Sequence, residues 1–359
     1  MPGLLAQVAT IVAAGWVAAA IARRCGLSAA VAQMLMGLAL GPSLLGWLAP
    51  GLFAALFGPG PGEPLAWLAR AGLLLLMFQV GLEFDLSHLA HARARKTVAA
   101  VGAAALVVPF AIGLAFGHLT APTLSPGIDP LACALFVATA FSITALPVLA
   151  RILAELGLHR TELGVIAISA AACIDLAGWV LLAFVSAFAA SPLGTVAVLG
   201  AFGAGILLHR RRGLVAAWEA RMAPLVALLF LPLYFSYTGL RTDAGSLDGA
   251  PAWAWCATVI ALAALGKFGA TYAAARWSGL AHPHAAALGA MMNTRGLVEL
   301  VVLNIGYDLG LVSRPLFTML VLMAVLSTVV TTPLLRHWLG GTHHLAPQEP
   351  RDAHHELRQ

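Results

Sequence analysis

Asp175 is the residue whose type and position are best suited to chemistry in this sequence. It lies near the middle of the apolar stretch SAAACIDLAGWVLLAF, and no other charged residue follows Glu162 before that stretch ends. A carboxylate is costly in apolar surroundings, so it must face protein or a water-filled cavity. A proton or a small cation can neutralise it, and competition between the two is a minimal form of ion exchange. The alternative is a structural role, in which Asp175 bonds a neighbouring helix or pairs with Lys267.

Further oxygen ligands for a cation are predicted in the stretch VATAFSITALPVLARIL. A lone carboxylate binds a hard cation poorly, so hydroxyl or carbonyl oxygens are needed beside it. Pro147 cannot donate a backbone hydrogen bond and disrupts the preceding turn. We therefore expect a discontinuous helix with free carbonyls around Ile143 to Ala145, beside the hydroxyls of Ser142 and Thr144.

A second interruption is predicted in the stretch GAMMNTRGLVELVVLNIG, where four consecutive residues form a polar break: Asn293, Thr294, Arg295 and Gly296. Two broken apolar segments in separate halves of a chain indicate a binding site at the membrane midplane. Arg295 and Glu299 are four residues apart, and we favour a structural clamp over direct ion contact for this pair.

Lys267 is the basic residue expected to balance charge at this site. It lies in ALAALGKFGATYAA and is one of two lysines in the chain, and the only one in an apolar stretch. Its ammonium group could neutralise the carbonyl ends of the broken helices or pair with Asp175. Snorkelling of the side chain to the membrane surface is the alternative.

The elements that must position these residues are membrane-spanning helices. The chain has 61% hydrophobic and 10% charged residues, which is outside the range of soluble proteins. A bilayer core of roughly 30 Å needs about 20 apolar residues per helix. An all-α polytopic protein with about eleven helices is predicted, near 3–22, 29–48, 65–83, 97–117, 131–153, 162–190, 192–209, 221–240, 252–275, 284–307 and 315–338.

The basic residues predict the orientation of these helices. Eleven Lys and Arg residues lie in loops after odd-numbered helices, whereas the other loops hold only Arg241 and Arg314. The positive-inside rule then places the N-terminus outside and the C-terminus in the cytoplasm. The net charge of +5 therefore reports topology, and we expect no nucleic-acid partner.

The chain divides into a transmembrane domain at 1–339, with core helices near 131–190 and 252–307, and a cytoplasmic tail at 340–359. We expect the tail to be disordered, although its four His residues could form a weak metal site. Neither paired aspartates, HExxH nor an activated serine occurs in the apolar stretches, so an enzyme is not expected. No cofactor is expected, nor any metal beyond a transported monovalent cation.

Five stretches resemble the monovalent cation:proton antiporter-2 family: LLLLMFQVGLEFD, ATAFSITALPVLARILAELG, AISAAACIDLAGWVLLA, LLFLPLYFSYTGLRTD and GAMMNTRGLVELVVLNIGYDLG. The resemblance implies two inverted repeats and a core domain, with two crossed broken helices, that moves against a dimerisation domain. It implies a homodimer in a bacterial-type inner membrane that exchanges Na⁺ or K⁺ for H⁺. It also implies that Asp175 carries the ion and the proton, with Thr144 and Ser142 in the unwound stretch and Lys267 facing the site.

Two departures from the family pattern bear on function. Ile174 stands where relatives usually have Asp, Asn or Gln, so Lys267 could pair with Asp175 itself. The chain also leads almost directly from helix 6 into helix 7, which indicates that about two helices are missing. A non-transporting membrane sensor or scaffold that retains the fold is therefore the alternative to an antiporter, and a carrier of anions or organic solutes is a further possibility.

Overall fold

The computed structural model describes residues 3–25, 29–58, 62–83, 95–188 and 193–339. These residues form helices joined by short turns, without a strand in the described ranges, so the all-α prediction is confirmed. Ten of the described helices are long and apolar enough to span a membrane. The tail predicted at 340–359 lies outside the described residues.

Ten of the eleven predicted helices have the length and hydropathy of a spanning helix. The remaining one, predicted at 192–209, is the shorter apolar helix Leu193–Leu208, with 16 residues. At 1.5 Å per residue its described length is about 24 Å, and residues 189–192 before it lie outside the described ranges. The predicted helix at 29–48 also ends early, at Leu40, because the chain turns at Gly41–Leu44 around Pro42, which cannot continue a helix.

The described residues of the first half form ten helices. They are α1 Leu4–Cys25, α2 Ala29–Leu40, α3 Leu45–Leu48, α4 Pro50–Phe57, α5 Glu63–Glu83, α6 Arg95–Leu124, α7 Pro130–Ser142, α8 Leu146–Glu155, α9 Glu162–Phe188 and α10 Leu193–Leu208. Asp129 defines the start of α7, since its carboxylate accepts a hydrogen bond of 2.7 Å from the Ala132 amide, as a helix N-cap does.

The described residues of the second half form seven α-helices, a π-helical turn and a 3-10 turn at Ala244–Ser246. They are α11 Arg212–Arg221, α12 Ala223–Leu225, the π-turn Val226–Phe230, α13 Leu231–Arg241, α14 Gly249–Trp277, α15 His282–Met292, α16 Leu297–Asp308 and α17 Arg314–Leu339. The π-turn joins α12 to α13 without a break, so the three form one span.

The order of elements repeats between the halves. A long helix, a broken helix and a second long helix occur as α6, α7–α8 and α9, and again as α14, α15–α16 and α17. Five crossings separate the start of α6 from the start of α14, when α10 is counted as a crossing. An odd number of crossings reverses direction, so the two units have opposite orientations, as in inverted-repeat transporters.

The helices pack in two groups. The first, here called the scaffold, contains α1, α2, α5, α10 and α13, and α2 packs on α13 as α10 packs on α5. The second, here called the core, contains the two repeated units, in which α6 packs on α7 and α14 packs on α15 and α17. Within the scaffold the backbones of α2 and α13 are in direct contact at Gly37 and Gly239. The contact leaves no room for a side chain, since a Cβ at Gly239 would lie 1.9 Å from the Gly37 carbonyl oxygen.

Candidate ion-binding site

The first broken helix separates at residues 143–145, between α7 and α8. Pro147 lies in the first turn of α8, where the fixed φ of proline suits a helix start. Because proline has no N–H, the helical hydrogen bond from position 147 to the Ile143 carbonyl cannot form. The predicted discontinuity is confirmed, and it leaves carbonyl oxygens at the end of α7 that need other donors.

The second broken helix crosses the first at this point. Helix α15 ends at Met292 and α16 begins at Leu297. The Thr144 hydroxyl donates a hydrogen bond of 3.0 Å to the Met292 carbonyl, and the Ala145 amide donates one of 3.1 Å to the Thr294 carbonyl. The two unwound segments are thus held together through backbone groups, and Ser142, Thr144 and Thr294 are all fully buried.

Two basic side chains bind the carbonyl end of α7. Lys267 Nζ donates to the carbonyls of Ser142 and Ile143, at 2.8 Å for Ile143. Arg295 Nη1 donates to the Ala140 carbonyl at 2.6 Å, and Nη2 donates to the Phe141 carbonyl at 2.9 Å. Positive charge at a helix C-terminus is stabilising. The carbonyl of Ile143, expected to be free for a cation, is therefore occupied by Lys267.

Asp175 lies on α9 and is 1% exposed. Neither of its carboxylate oxygens has a hydrogen-bond partner. The Leu146 amide, at the positive N-terminal end of α8, and the Lys267 ammonium are close enough to interact with the carboxylate electrostatically. Asp175 is thus a buried carboxylate with two unused oxygens beside the crossing of the broken helices.

Of the two contacts considered for Lys267, the structure shows the one with the carbonyl ends of the broken helix, and the pairing with Asp175 is not found. Ion pairs among the described residues join Arg295 to Glu299 and Arg241 to Asp308, as well as two half-exposed pairs, but none joins Lys267 to Asp175. The physical reason is that two carbonyls at the α7 terminus already bind the ammonium group. Ile174, 1% exposed in an apolar cluster, adds no polar ligand.

The hydroxyls predicted as ligands are both engaged with backbone. Ser142 Oγ donates to the Thr139 carbonyl at 2.9 Å, and Thr144 donates across the crossing as described above. A hydroxyl that donates its proton keeps its oxygen lone pairs as acceptors. Both hydroxyl oxygens therefore retain the capacity to contact a cation.

Arg295, in the second break, and Glu299, in the first turn of α16, form a fully buried ion pair. Arg295 Nη1 lies 2.8 Å from Glu299 Oε1, and both side chains are 0% exposed. Arg295 thus contacts Glu299 and two α7 carbonyls at once, which joins the two broken helices. Glu299 Oε2 and Asn293 Oδ1 have no hydrogen-bond partner, and Thr294 Oγ1 lies 3.4 Å from Thr331 Oγ1.

Thr328 on α17 was missed by the sequence analysis. Its hydroxyl accepts a hydrogen bond of 3.0 Å from the Arg295 amide and donates one of 2.7 Å to the Arg295 carbonyl. A single side chain thus satisfies both backbone groups of a residue in the second break. The available signal was the cluster of hydroxyl residues in an apolar helix: Ser327, Thr328, Thr331 and Thr332.

Gly296 leaves no room for a side chain at the crossing. A Cβ there would lie 2.7 Å from Val148 Cγ2 and 3.5 Å from Ala145 Cβ. We expect Gly296→Ala to lower the free energy of unfolding by about 1–3 kcal/mol, the usual cost of overpacking. Thermal unfolding of the detergent-solubilised protein measures the loss. Val148→Ala in the same chain should restore part of it, whereas an unchanged loss in the double variant would contradict the steric cause.

The described residues contain no group of three or more His, Cys, Asp or Glu that could hold a metal ion. The buried charges of the site are two positive, Lys267 and Arg295, and two negative, Glu299 and Asp175 when ionised. The positive groups are bound to α7 carbonyls, and Glu299 is bound to Arg295. Asp175 is the one of these four groups without a hydrogen-bond partner.

Comparison with known proteins places the chain in a family. The sequence profile described as "Sodium/hydrogen exchanger, transmembrane" matches residues 8–197 and 183–339. The Na(+)/H(+) antiporter NhaS4 of Synechocystis is 32% identical, over 85% of this chain and 89% of the antiporter. Cation/H(+) antiporter 18 of Arabidopsis thaliana is 32% identical over 93% of this chain, which spans about half (49%) of the plant protein's length.

These alignments include positions without a counterpart in this chain. The Synechocystis alignment has 370 positions, but 85% of this chain is about 305 residues, so about 65 positions have no counterpart here. The two stretches that match the family profile overlap at residues 183–197, at the end of α9 and the start of α10. About 65 positions are equivalent to two spanning helices of about 20 residues with their loops. This number is in line with about two missing helices, and their place in the chain stays a prediction.

The fold agrees with this relationship. The sodium/proton antiporter NhaP1 of Methanocaldococcus jannaschii superposes with a TM-score of 0.59, over 93% of this chain and 96% of that chain, at 13% identity. The predicted resemblance to cation:proton antiporters is confirmed by the sequence matches, and the predicted antiporter fold by this superposition. The chain is thus a multi-pass membrane protein that belongs to the sodium/hydrogen exchanger family.

Proposed function

We propose that this protein is a secondary active transporter that exchanges a monovalent cation, Na⁺ or K⁺, for H⁺ at Asp175. The observation that carries the proposal is a buried carboxylate without a hydrogen-bond donor beside two crossed, broken helices. A buried polar group without a partner is costly, so a site of this kind is adapted to an exchangeable partner. The carboxylate binds a cation or a proton, and each excludes the other.

The mechanism is alternating access by movement of the core against the scaffold. With a cation or proton on Asp175, the carboxylate is neutral and can cross the low-dielectric region between the helix groups at lower cost. The ionised carboxylate alone meets a larger barrier. This difference couples the movement to occupancy, so that each crossing carries one of the two partners.

The remaining site residues have supporting roles in this proposal. Ser142 and Thr144 offer hydroxyl oxygens to the cation, while Lys267 neutralises the α7 terminus. Arg295 and Glu299 hold the two breaks together, with Asn293, Thr294 and Gly296 in the second break. The relatives' printed names support the choice of cations, since they include Na⁺/H⁺ and K⁺/H⁺ antiporters.

We further propose the cellular arrangement expected from the loops and the family. The protein lies in a bacterial-type inner membrane with its N-terminus outside and its C-terminus in the cytoplasm, as the basic loops favour. It acts as a homodimer in the lipid bilayer, without a cofactor and without enzymatic activity. Residues 1–339 form the transmembrane domain.

A second candidate function is a membrane sensor or scaffold that retains the fold without exchanging ions. It is favoured by Ile174, which gives no polar ligand, and by the roughly 65 alignment positions that have no counterpart in this chain. The two functions differ in flux. A sensor changes conformation with pH or cation, whereas an antiporter moves protons across a sealed membrane.

The test is proton flux in proteoliposomes with an imposed pH gradient. We expect dissipation of the gradient on adding Na⁺ or K⁺ but not choline, and Li⁺ helps to define the selectivity. The ion that gives flux identifies the substrate. Absence of flux from folded protein, with all three cations, would reject the antiporter and favour the sensor or scaffold.

A further inference from the structure

A second polar cluster lies far from Asp175, where α13 of the scaffold meets α16 and α17 of the core. The Arg241 guanidinium forms an ion pair with Asp308, and the Asp243 carboxylate lies 3.1 Å from Arg314 Nη2. Each pair joins the two helix groups. On the scaffold side the positive Arg241 precedes the negative Asp243, and on the core side the negative Asp308 precedes the positive Arg314. If the core slid along the scaffold by one pair, like charges would therefore face each other. We call these four residues the clasp.

Arg241 is the best-packed member of the clasp. Its side chain is 12% exposed, and Nη1 donates to Asn304 Oδ1 at 3.0 Å. The guanidinium carbon lies 4.8 Å from the Tyr307 ring centre and 5.2 Å from that of Tyr237. Cation–π contacts and a partly desolvated ion pair are stronger than exposed surface pairs, so Arg241 fixes the end of α16 to the scaffold.

Asn304 connects the clasp to the interior of α16. Its Nδ2 donates to Thr238 Oγ1 of the scaffold at 2.8 Å and to the Leu300 carbonyl at 2.9 Å. Glu299, one residue before Leu300, binds Arg295 at the crossing. Helix α16 is therefore held at one end by the scaffold and at the other by the α7 terminus. A movement of the core that keeps the crossing intact must break the contacts at Arg241.

One member of the clasp, Asp308, lines a cavity of about 490 Å³ together with Asn304, which binds Arg241. The residues that matter here line the cavity from the two helix groups: Arg70, Leu74 and Tyr237 of the scaffold, and Asn304 and Asp308 of the core. Asp308 is 41% exposed, so the cavity opens on the membrane side that bears the clasp. Asp175 is not part of this lining and is itself 1% exposed, so the ion site is closed to the cavity in this conformation.

We propose that Arg241 is a positioning residue for exchange, which acts through Asp308 and Asn304 to hold α16 in the conformation whose cavity opens on the clasp side. This inference rests on the proposed function, because alternating access is the movement that breaks the clasp. A contact made in one conformation and lost in the other favours the first. Loss of the clasp therefore shifts the population away from the conformation described here.

The experiment uses Leu74→Cys as a reporter, since Leu74 lines the cavity from α5 and is only partly buried. The four native cysteines are replaced by serine. A membrane-impermeant maleimide is added to intact cells, where the clasp side is external in the proposed topology, and to permeabilised cells. We expect Asp308→Asn to lower the labelling rate about fivefold, a typical coupling between conformations.

Two comparisons assign this effect to the clasp. Arg241→Gln should lower labelling similarly, and the Arg241→Gln/Asp308→Asn variant should show no further loss, because coupled residues are non-additive. Arg151→Gln is the control, since its pair with Glu155 lies within α8, half-exposed at 50% and 42%, and does not join the helix groups. It should leave labelling unchanged. If a variant at 241 or 308 fails to fold, Arg314→Gln should change labelling in the same direction by a smaller factor.

Three results would each overturn the proposal. The first is unchanged labelling in folded Asp308→Asn, and the second is a double variant in which the effects of the two single variants multiply. The third is an equal effect of Arg151→Gln. Flux measured on the same variants separates this outcome from failure of the proposed function. Labelling that follows the clasp without any cation-dependent flux would reject exchange and retain the conformational role. Cation-dependent flux together with labelling that the clasp variants leave unchanged would retain exchange and reject the conformational role of the clasp.

Discussion

Asp175→Asn is expected to reduce cation-dependent proton flux in proteoliposomes to the background of empty liposomes. The amide has nearly the shape of the carboxylate but neither binds a proton in this pH range nor neutralises a cation. Because both oxygens of Asp175 lack a hydrogen-bond partner, the substitution removes only the electrostatic interaction with the Leu146 amide and the Lys267 ammonium. The protein should therefore fold and insert normally, and the loss should be confined to exchange.

A binding measurement distinguishes the loss of a site from the loss of movement. A cation that binds only the folded state stabilises it by about 2.7 kcal/mol at a hundredfold excess over Kd. We expect the transported cation to raise the Tm of the wild-type protein and to leave that of Asp175→Asn unchanged. Glu155→Gln is the matched carboxylate-to-amide control, since Glu155 is half-exposed on α8. Flux or cation stabilisation that persists in Asp175→Asn would exclude Asp175 as the shared site.

Arg295→Met is expected to cause the largest loss of stability of any single substitution at the crossing. It removes the donors to the Ala140 and Phe141 carbonyls and leaves Glu299 as a buried carboxylate without its partner. Breaking one side of a buried ion pair costs about 3–5 kcal/mol, and the unsatisfied carbonyls add to this cost. Thermal unfolding in detergent measures the effect, and flux should fall in proportion to the folded fraction.

A double variant tests the physical origin of this loss. Adding Glu299→Gln to Arg295→Met removes the unpaired charge but not the unsatisfied carbonyls, so stability should recover in part. Arg151→Met, which breaks a half-exposed ion pair on α8, should cost no more than about 1 kcal/mol. Equal losses for Arg295→Met and Arg151→Met, or a double variant less stable than Arg295→Met, would contradict the clamp between the two broken helices.

The two breaks were predictable because their signals are local. Proline at position 147 removes a helical donor wherever the helix lies, and four polar or flexible residues at 293–296 interrupt an apolar run. The spacing of Arg295 and Glu299 likewise predicts a contact, and the structure places them 2.8 Å apart. Their proposed roles, and that of Asp175, stay predictions until flux and stability are measured.

The sequence left two partners open for Lys267, the carbonyl ends of the broken helices and Asp175. Local spacing cannot choose between them, because both lie far from position 267 in the chain. In the folded chain two carbonyl oxygens at the end of α7 bind the ammonium. Thr328 was missed for a related reason, since a threonine in an apolar helix shows no sign of which distant backbone group it will satisfy.

The sequence by itself determined the membrane environment, most of the helix boundaries, the two discontinuities and the family. Each depends on composition, on residues close together in the chain or on short motifs. Only the tertiary structure decided which groups meet across the fold: basic side chains with the α7 carbonyls, Asp175 without a donor, and Arg241 with Asp308. Such pairings join residues up to 155 positions apart, and helix packing, rather than local propensity, brings them within hydrogen-bonding distance.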